Sequence, residues 1–233
     1  MNDKRILEIT VETLTAALAA ERGGADRIEL CGDLGLGGVT PASDLMRAAV
    51  QKLRIPIFAM VRPRAGDFLY SGEEFAFMKG SIAEAKKHGI HGVVLGLLAK
   101  DRQIDVDRTR QLVDYADPLP VTFHRAFDES RDLGESLEAV IRTGAQRILT
   151  SGGAARAPEA TAFLAELVVA ADNRIVVIPG SGINSTNITE IAKTTNAREF
   201  HSGLSTVLPY GSGDSQAIAD EVGKLASALA RVR

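Results

Sequence analysis

The chain has 233 residues, of which 45% are hydrophobic and 24% are charged, and its formal net charge is −3. This balance is typical of an ordinary globular protein, and it gives no excess of positive charge that would attract a nucleic acid. No apolar run reaches the roughly 18 residues that a membrane span needs, so we expect neither a nucleic-acid nor a membrane partner.

Short apolar runs alternate with longer amphipathic runs along the whole chain. The short runs predict eight β-strands: Arg5–Ile9, Arg27–Leu30, Pro56–Val61, Gly92–Leu97, Val121–Phe123, Arg147–Leu149, Arg174–Ile178 and Glu199–His201. The longer runs predict helices: Glu12–Arg22, Pro41–Leu53, Ser71–His88, Val106–Tyr115, Leu133–Thr143, Pro158–Ala171, Asn184–Thr194 and about 215–232. In the second helix, Thr40 and Pro41 have the residue types of an N-cap followed by a first-turn proline.

Four segments repeat one local pattern, because each closes a helix with glycine or asparagine and then starts a strand. They begin at Gly24, Gly89, Gly144 and Asn196, about one double βα unit apart. Strand–helix alternation predicts parallel pairing, and four such units predict a closed α/β barrel, the (β/α)8 TIM type. An open doubly wound sheet is the alternative, but it needs a glycine-rich loop where this chain reads TVETLT. We therefore expect a single barrel domain over residues 1–233.

Alternation along the strands predicts which polar side chains point into the barrel. In the first strand, Leu7 and Ile9 form the helix-facing set, which leaves Glu8 inside. The same reading of the other strands gives six charged or imidazole groups in the interior: Glu8, Glu29, Arg62, His124, Glu199 and His201. Burial of one unpaired charge costs several kcal/mol, so these groups must form a neutralising network or a solvated site.

Enzymes with this fold place their chemistry at the carboxyl ends of the strands. The candidate catalytic residues are therefore Glu8, Glu29, Arg62, His124 and His201. Structural ion pairing is the alternative for each of them, but so many converging titratable groups favour a functional site. The polar end of VTFHRAFD, with Arg125 and Asp128, is interpreted as one wall of a pocket at this mouth.

The loops at the predicted mouth favour an anionic ligand. Arg62 and Arg64 follow the third strand, where two guanidinium groups would attract a carboxylate or a phosphate, with a solvated loop as the alternative. The loops after the last two strands are a common anion site in such barrels, which gives five candidates: Gly180, Ser181, Gly182, Ser202 and Gly203. Plain turns explain those glycines and serines equally well.

Cys31 is the only cysteine, and alternation places it inside the barrel at the end of the second strand. A single cysteine excludes an internal disulfide framework and is typical of the reducing cytoplasm, where we expect the protein to work. The N-terminal MNDKRILEIT shows no signal-peptide apolar segment. A cysteine in this position is most often a small apolar core residue.

Five stretches together resemble the CutC family: ERGGADRIELC, VRPRAGDFLYS, PVTFHRAFD, RILTSGG and EFHSG. The resemblance implies a TIM-type barrel, a cytoplasmic location, a homo-oligomer, with a dimer favoured, and a role in copper homeostasis. Some similar members carry a second cysteine in the first strand, where this chain has Thr10. A cysteine pair for Cu(I) therefore does not carry over, and Cys31 alone is the copper ligand that the resemblance implies.

Two main hypotheses follow, and they differ in the ligand. The first is a copper-handling protein anchored on Cys31, although Cu(I) prefers soft donors and only Met60 adds a second sulfur. The second is an enzyme for a small carboxylate or phosphate, with Glu8 or Glu29 as general base and His124 as its acid partner. Arg62, together with the loops after the last two strands, would hold the anion, and the reaction would be an isomerisation, a carbon–carbon lysis or a hydrolysis. A regulatory protein with a vestigial pocket is a third alternative.

Overall fold

The computed structural model describes residues 4–209 and 213–232 of the chain. Eight parallel strands form one sheet: β1 (Ile6–Val11), β2 (Arg27–Leu30), β3 (Ile57–Met60), β4 (Gly92–Leu95), β5 (Val121–Phe123), β6 (Arg147–Thr150), β7 (Val176–Pro179) and β8 (Glu199–Ser202). Each strand pairs with the next one along the chain as far as β7, and β8 pairs with β1. β7 and β8 lie in contact across the remaining gap. The result is the predicted (β/α)8 barrel, nearly closed by hydrogen bonds.

One helix follows each strand: α1 (Leu14–Gly23), α2 (Ser43–Lys52), α3 (Gly72–His88), α4 (Val106–Ala116), α5 (Leu133–Thr143), α6 (Thr161–Ala171), α7 (Ile188–Thr195) and α8 (Ser215–Ala230). The four repeated helix ends have the predicted left-handed backbone, with φ of 97° at Gly24, 77° at Gly89, 84° at Gly144 and 50° at Asn196. In the described part of the chain, no helix combines the length and the apolar character needed to cross a membrane.

The predicted cap of the second helix is wrong. α2 begins at Ser43 after Ala42, and no side chain caps it. The Thr40 hydroxyl instead accepts a hydrogen bond from the Arg62 backbone N–H at 2.9 Å and donates to the Arg62 carbonyl at 3.1 Å. A threonine hydroxyl can bond to other nearby backbone groups instead of a helix N-terminus, and here it bonds to the backbone just after β3. The contact fixes the backbone at Arg62.

The helix-facing side chains of the strands form the main core. Leu7, Ile9, Ile28, Leu30 and Phe200 are almost completely buried, as the alternation predicts. The opposite faces of the strands point into the barrel, where charged and soft side chains replace part of the usual aliphatic filling. The site is built from this inner set.

Candidate functional site

The interior of the barrel contains a network of ion pairs, here called the ion-pair plug, formed by Glu8, Arg27, Arg147 and Glu199. Strand register places Glu8 opposite Arg27 on β2, and the Arg27 Nε donates to the Glu8 carboxylate. The Arg27 Nη2 lies 2.6 Å from Glu199 Oε2, and the Arg147 Nε lies 3.2 Å from the same oxygen. The Phe58 ring contacts both guanidinium groups, at 4.8 Å and 5.1 Å from its centroid. Two acids and two bases thus neutralise one another.

The plug holds Glu8 ionised in spite of its complete burial. Burial alone raises the pKa of a carboxyl group, but the charge of Arg27 and the hydrogen bond with His201 outweigh it and lower the pKa of Glu8 to about 2. The pKa of Arg27 is raised, because Glu8 and Glu199 more than offset the effect of burial. Glu8 is fully paired and does not line the open cavity, so the structure places this candidate base behind the site.

A cavity of about 340 Å³ lies above the plug, at the carboxyl ends of the strands. Its lining includes titratable, soft and apolar side chains: Thr10, Glu29, Cys31, Leu34, Leu36, Met60, Arg62, Phe68, His124, Arg125, Asp128, Leu149, Ser181, Gly182, His201 and Gly203. The cavity brings together four of the five candidate catalytic residues, since only Glu8 is missing. It also occupies the end of the barrel where enzymes of this fold place their active sites.

His201 connects the plug to the cavity. Strand register places it opposite Glu8, and its Nδ1 lies 2.8 Å from Glu8 Oε1. With Glu8 ionised, Nδ1 carries the proton and Nε2 is directed to the other side, 3.8 Å from Glu29 Oε2. One ligand atom from each of these three residues lies within 4.8 Å of the others. Burial lowers the pKa of a histidine, but the charges of Glu29 and Glu8 outweigh it and raise the pKa of His201.

Glu29 on β2 and Cys31 directly after it share the inward side of Arg27, and both line the cavity. The Cys31 Sγ lies 3.7 Å from Glu29 Oε2 and 3.5 Å from Thr10 Oγ1. Burial and the neighbouring Glu29 raise the pKa of the Cys31 thiol well above its usual value. Burial also raises the pKa of Glu29, and the Glu29 Oε1 has no hydrogen-bond partner among the described residues.

His124 occupies the opposite side of the cavity at the end of β5. Its Nδ1 accepts a hydrogen bond from the Ala126 N–H at 3.1 Å, so the neutral ring carries its proton on Nε2. Burial and the charge of Arg62 lower the pKa of His124 to about 3. Gly96 makes room for this ring, since a Cβ at that position would lie 2.6 Å from two of its atoms. The group is therefore a neutral hydrogen-bond donor at pH 7.

Arg62 spans two of the loops at the mouth. Its Nη1 donates to the carbonyls of Leu36, Gly37 and Gly38 at 3.1 to 3.3 Å, and its Nη2 donates to the Gly66 carbonyl at 2.9 Å. Within residues 4–209 and 213–232 it forms no ion pair with a carboxylate, and its Nε has no acceptor. The side chain is buried and keeps its positive charge at the cavity wall.

Asp128, interpreted from VTFHRAFD as part of the wall, links the segment after β5 to the end of β6 by hydrogen bonds. Its carboxylate accepts hydrogen bonds from the Ser151 N–H at 3.0 Å and the Gly153 N–H at 3.2 Å, and from the Thr150 hydroxyl. Arg125 pairs with the same carboxylate at 2.8 Å. Both side chains reach the cavity rim, but their charges are used within the protein.

The predicted anion loops lie partly on the cavity. Ser181, Gly182 and Gly203 line it, whereas Gly180 and Ser202 do not. The Ser181 hydroxyl donates to the Ala155 carbonyl at 3.0 Å and the Ser202 hydroxyl donates to the Ile183 carbonyl at 2.6 Å. The two hydroxyl groups thus donate their protons within the loops. Anion binding at these loops stays a prediction, and it would depend on backbone N–H groups.

Sequence reasoning missed three residues that organise the site. Arg27 and Arg147 stand at the first position of their strands, where an arginine usually reaches solvent, although Arg27 shares the inward parity of Glu29. Phe68 lies in the loop after β3 and contacts both His124 and Arg62. The alternation of side chains along a strand could have identified the two arginines as inward-facing. Phe68 lies in a loop, where this alternation does not apply.

Comparisons with known proteins agree with one another. The model of the CutC family matches residues 5–206. A family protein CutC of Chromobacterium violaceum is 42% identical over 98% of this chain and 96% of its own length. A human protein named copper homeostasis protein cutC homolog is 44% identical over 84% of this chain and 72% of its own length.

Solved structures give the same picture. The crystal structure of a CutC protein from Streptococcus agalactiae is similar with a TM-score of 0.81 and 31% identity, over 85% of this chain and 98% of that one. Phosphoribosylanthranilate isomerase of Thermotoga maritima aligns with a TM-score of 0.62 at 12% identity, over 96% of this chain and 99% of that one. The second likeness is one of fold alone.

Proposed function

The chain belongs to the CutC family, and on that premise we propose that it acts in copper homeostasis by binding a copper ion in the cavity at the barrel mouth. Cys31 is the anchor, and His201 and Glu29 complete the set of donors. Human and mouse relatives carry the name copper homeostasis protein cutC homolog, which supports the choice of metal.

One observation carries this proposal. The Glu29 Oε2 is near two other donor atoms, 3.7 Å from the Cys31 Sγ and 3.8 Å from the His201 Nε2. Donors bound at about 2.0 to 2.3 Å from one ion lie roughly 3.3 to 3.8 Å from each other in tetrahedral geometry. The hydrogen bond from His201 Nδ1 to Glu8 is the usual support of a metal-binding histidine, because it fixes the tautomer and the ring.

The donor set fits copper better than a hard ion. Cys31 supplies a thiolate, the kind of donor that Cu(I) prefers, and Met60, which belongs to the same buried cluster, adds a thioether close to the three donors. Imidazole also suits copper, whereas carboxylate alone would favour magnesium, calcium or manganese. Binding must displace the proton of Cys31, whose pKa is raised, so copper uptake releases protons.

The proposal is tested by competition between the reduced protein and a chromogenic Cu(I) chelator. We expect Cys31→Ser to lower the affinity for Cu(I) by about tenfold or more, since it removes the only thiol. His88→Gln is the matched control, because His88 contacts Ser43 outside the cavity and its loss should leave the affinity unchanged. Full affinity in Cys31→Ser, or tighter binding of Zn²⁺ than of copper, would contradict the proposal.

A variant that should bind Cu(I) more tightly than the wild type also tests the site at Cys31. The Thr10 Oγ1 lies 3.5 Å from the Cys31 Sγ, so Thr10→Cys places a second thiol beside the first. Two thiolates are a soft pair for Cu(I), and we expect the affinity to rise by about tenfold or more. Unchanged affinity in the reduced variant would count against a copper site at Cys31.

A second candidate function is an enzyme that uses acid–base chemistry on a small anionic substrate. The observation that favours it is Glu29, a buried carboxyl with a raised pKa and one unpartnered oxygen at the wall of the cavity. Glu29 would be the general base, and His124 would donate a hydrogen bond rather than a proton, since its pKa is lowered to about 3. An isomerase, a lyase or a hydrolase remains compatible with these roles.

We further propose that the protein works in the cytoplasm as a homo-oligomer, with a dimer favoured. The free and buried Cys31 suits a reducing compartment. Light scattering of the purified protein tests the assembly, and a monomer at micromolar concentration would contradict it.

A further inference from the structure

Arg62 brings a positive charge to the cavity wall with no negative side chain to balance it. Its four backbone acceptors at the ends of Nη1 and Nη2 are carbonyl dipoles, which orient the guanidinium without neutralising it. Arg64, two residues along, pairs with Asp67 at 2.9 Å and with Glu74. Arg125, at the cavity rim, pairs with Asp128. Among these three arginines at the mouth, the buried Arg62 is the one whose charge favours an anionic ligand.

His124 adds a neutral donor on the same wall. Its Nδ1 is used by the Ala126 N–H, and its Nε2–H has no acceptor in the described part of the chain, although the residue is only 4% exposed. A buried donor without an acceptor is unfavourable, so a ligand oxygen that accepts from it gains affinity. A neutral donor beside a cation suits a single negative charge that is shared by two oxygens.

One ring holds both groups in place. The Phe68 ring lies 4.9 Å from the His124 ring, centroid to centroid, at 49°. The Arg62 Cζ lies 4.9 Å from the centroid of the same Phe68 ring. The donors are therefore fixed before a ligand arrives, which lowers the entropy lost on binding.

The rest of the cavity limits the size and character of the ligand. A volume of about 340 Å³ lies near the lower end of the roughly 300 to 1,000 Å³ of small-molecule pockets, so the ligand is small. Leu34, Leu36 and Leu149 provide apolar contacts for its body. A doubly charged phosphate would face one uncompensated cation on this wall and the carboxyl of Glu29, so a singly charged carboxylate matches the charges better.

We propose that Arg62 and His124 form an oxyanion subsite that binds the carboxylate of a small organic acid in the barrel mouth. The subsite uses neither Cys31 nor His201 and needs no copper. It deepens the second candidate function, on which the choice of an acid as substrate rests, but binding is measured without any reaction.

The test is ligand binding to metal-free protein in EDTA, with propionate and pyruvate as probes and inorganic phosphate for comparison. Calorimetry and thermal shift should detect both carboxylates, with phosphate weaker than either. We expect His124→Leu to weaken binding of the carboxylates by about tenfold or more, since it removes the donor to a charged oxygen. His124→Gln retains a terminal N–H and should stay within about threefold of the wild type.

A pair of arginine variants separates charge from fold. Arg62→Gln should abolish binding, and because it also releases the loops, its melting temperature without ligand is measured alongside. Arg64→Gln, on the same loop with its charge already paired, should bind as the wild type does. The proposal fails if neither carboxylate binds, if His124→Leu binds as tightly as the wild type, or if phosphate binds more tightly than both. Full copper affinity in Cys31→Ser, which would contradict the copper proposal, leaves these outcomes unchanged, so the two proposals are separable.

Discussion

The ion-pair plug and the cavity wall above it use the same kinds of side chain for different ends. In the plug, Glu8 and Glu199 find arginine partners at hydrogen-bond distance, and the charges cancel. On the wall, Glu29 and His124 are as deeply buried, yet each keeps one polar atom without a partner. Burial of a charged residue inside the barrel is therefore no guide to its role. Among the carboxyl and imidazole groups, an unused hydrogen-bonding atom separates Glu29 and His124 from the fully paired Glu8, although the plug also holds one atom without a partner, the Arg147 Nη1.

The largest effect should come from breaking the plug. Arg27→Met leaves Glu8 and part of Glu199 buried without their main counter-charge, and we expect the free energy of unfolding to fall by about 3 to 5 kcal/mol. Urea unfolding measures it. A loss below about 1 kcal/mol would show that the ion-pair plug contributes little to the stability of the fold.

A matched pair of glutamates sharpens the same contrast. Glu8→Gln removes a charge that two partners stabilise, and we expect a loss of about 2 to 3 kcal/mol. Glu29→Gln makes the same chemical change at a carboxyl whose pKa is raised, so the loss should stay within about 1 kcal/mol. Parallel urea titrations at pH 7 give both values. Equal losses would mean that Glu8 and Glu29 contribute equally to stability.

The pH dependence of stability tests the state of His124. Burial and the charge of Arg62 lower its folded-state pKa to about 3, from a usual value of 6.5. Below pH 6.5 the unfolded chain binds the proton more readily, so stability is present above that pH and is lost as the pH falls through it. Between pH 7 and pH 5 the wild type should lose about 2 kcal/mol more than His124→Gln does. Identical losses in urea unfolding would mean that His124 protonates freely in the folded state.

The smallest effect should come from an ion pair outside the barrel. Arg174 and Glu138 make two hydrogen bonds at 2.8 Å and 2.7 Å, but both side chains are nearly half exposed. Water and salt screen such a pair, so Glu138→Gln should not shift the urea midpoint measurably. A clear shift would mean that pairing geometry outweighs burial in this protein.

Much of the fold could be predicted because its signals are local. The alternation of short apolar runs with amphipathic runs gives the eight strands, and left-handed helix ends at Gly24, Gly89 and Gly144 mark the repeated unit. Parity along β1 and β2 correctly placed Glu8 and Glu29 inside the barrel. The family could be recognised from motifs for the same reason, since each motif contains one strand or directly follows one.

The parts that could not be predicted depend on contacts between distant segments. Thr40 has the residue type of a helix cap, but its partner is the backbone of Arg62 across the strand ends. The VTFHRAFD segment predicts Asp128 on the pocket wall, where it lies, but not that its carboxylate oxygens accept hydrogen bonds from the loop after β6. Whether a buried polar atom finds a partner depends on contacts between several strands and loops. The alternation of side chains along one strand gives no information on those contacts.

The seam between β7 and β8 has a consequence for how the molecule opens. These two strands touch, with the β7 end at Gly180 against His201, but no ladder of hydrogen bonds joins them in residues 4–209. Transient breathing of the ring should begin at this gap, so deuterium should enter the facing amides of β8 before those of β4 or β5. Because His201 lies on β8 and Arg62 follows β3, such opening would loosen the His201 side of the cavity before the Arg62 side.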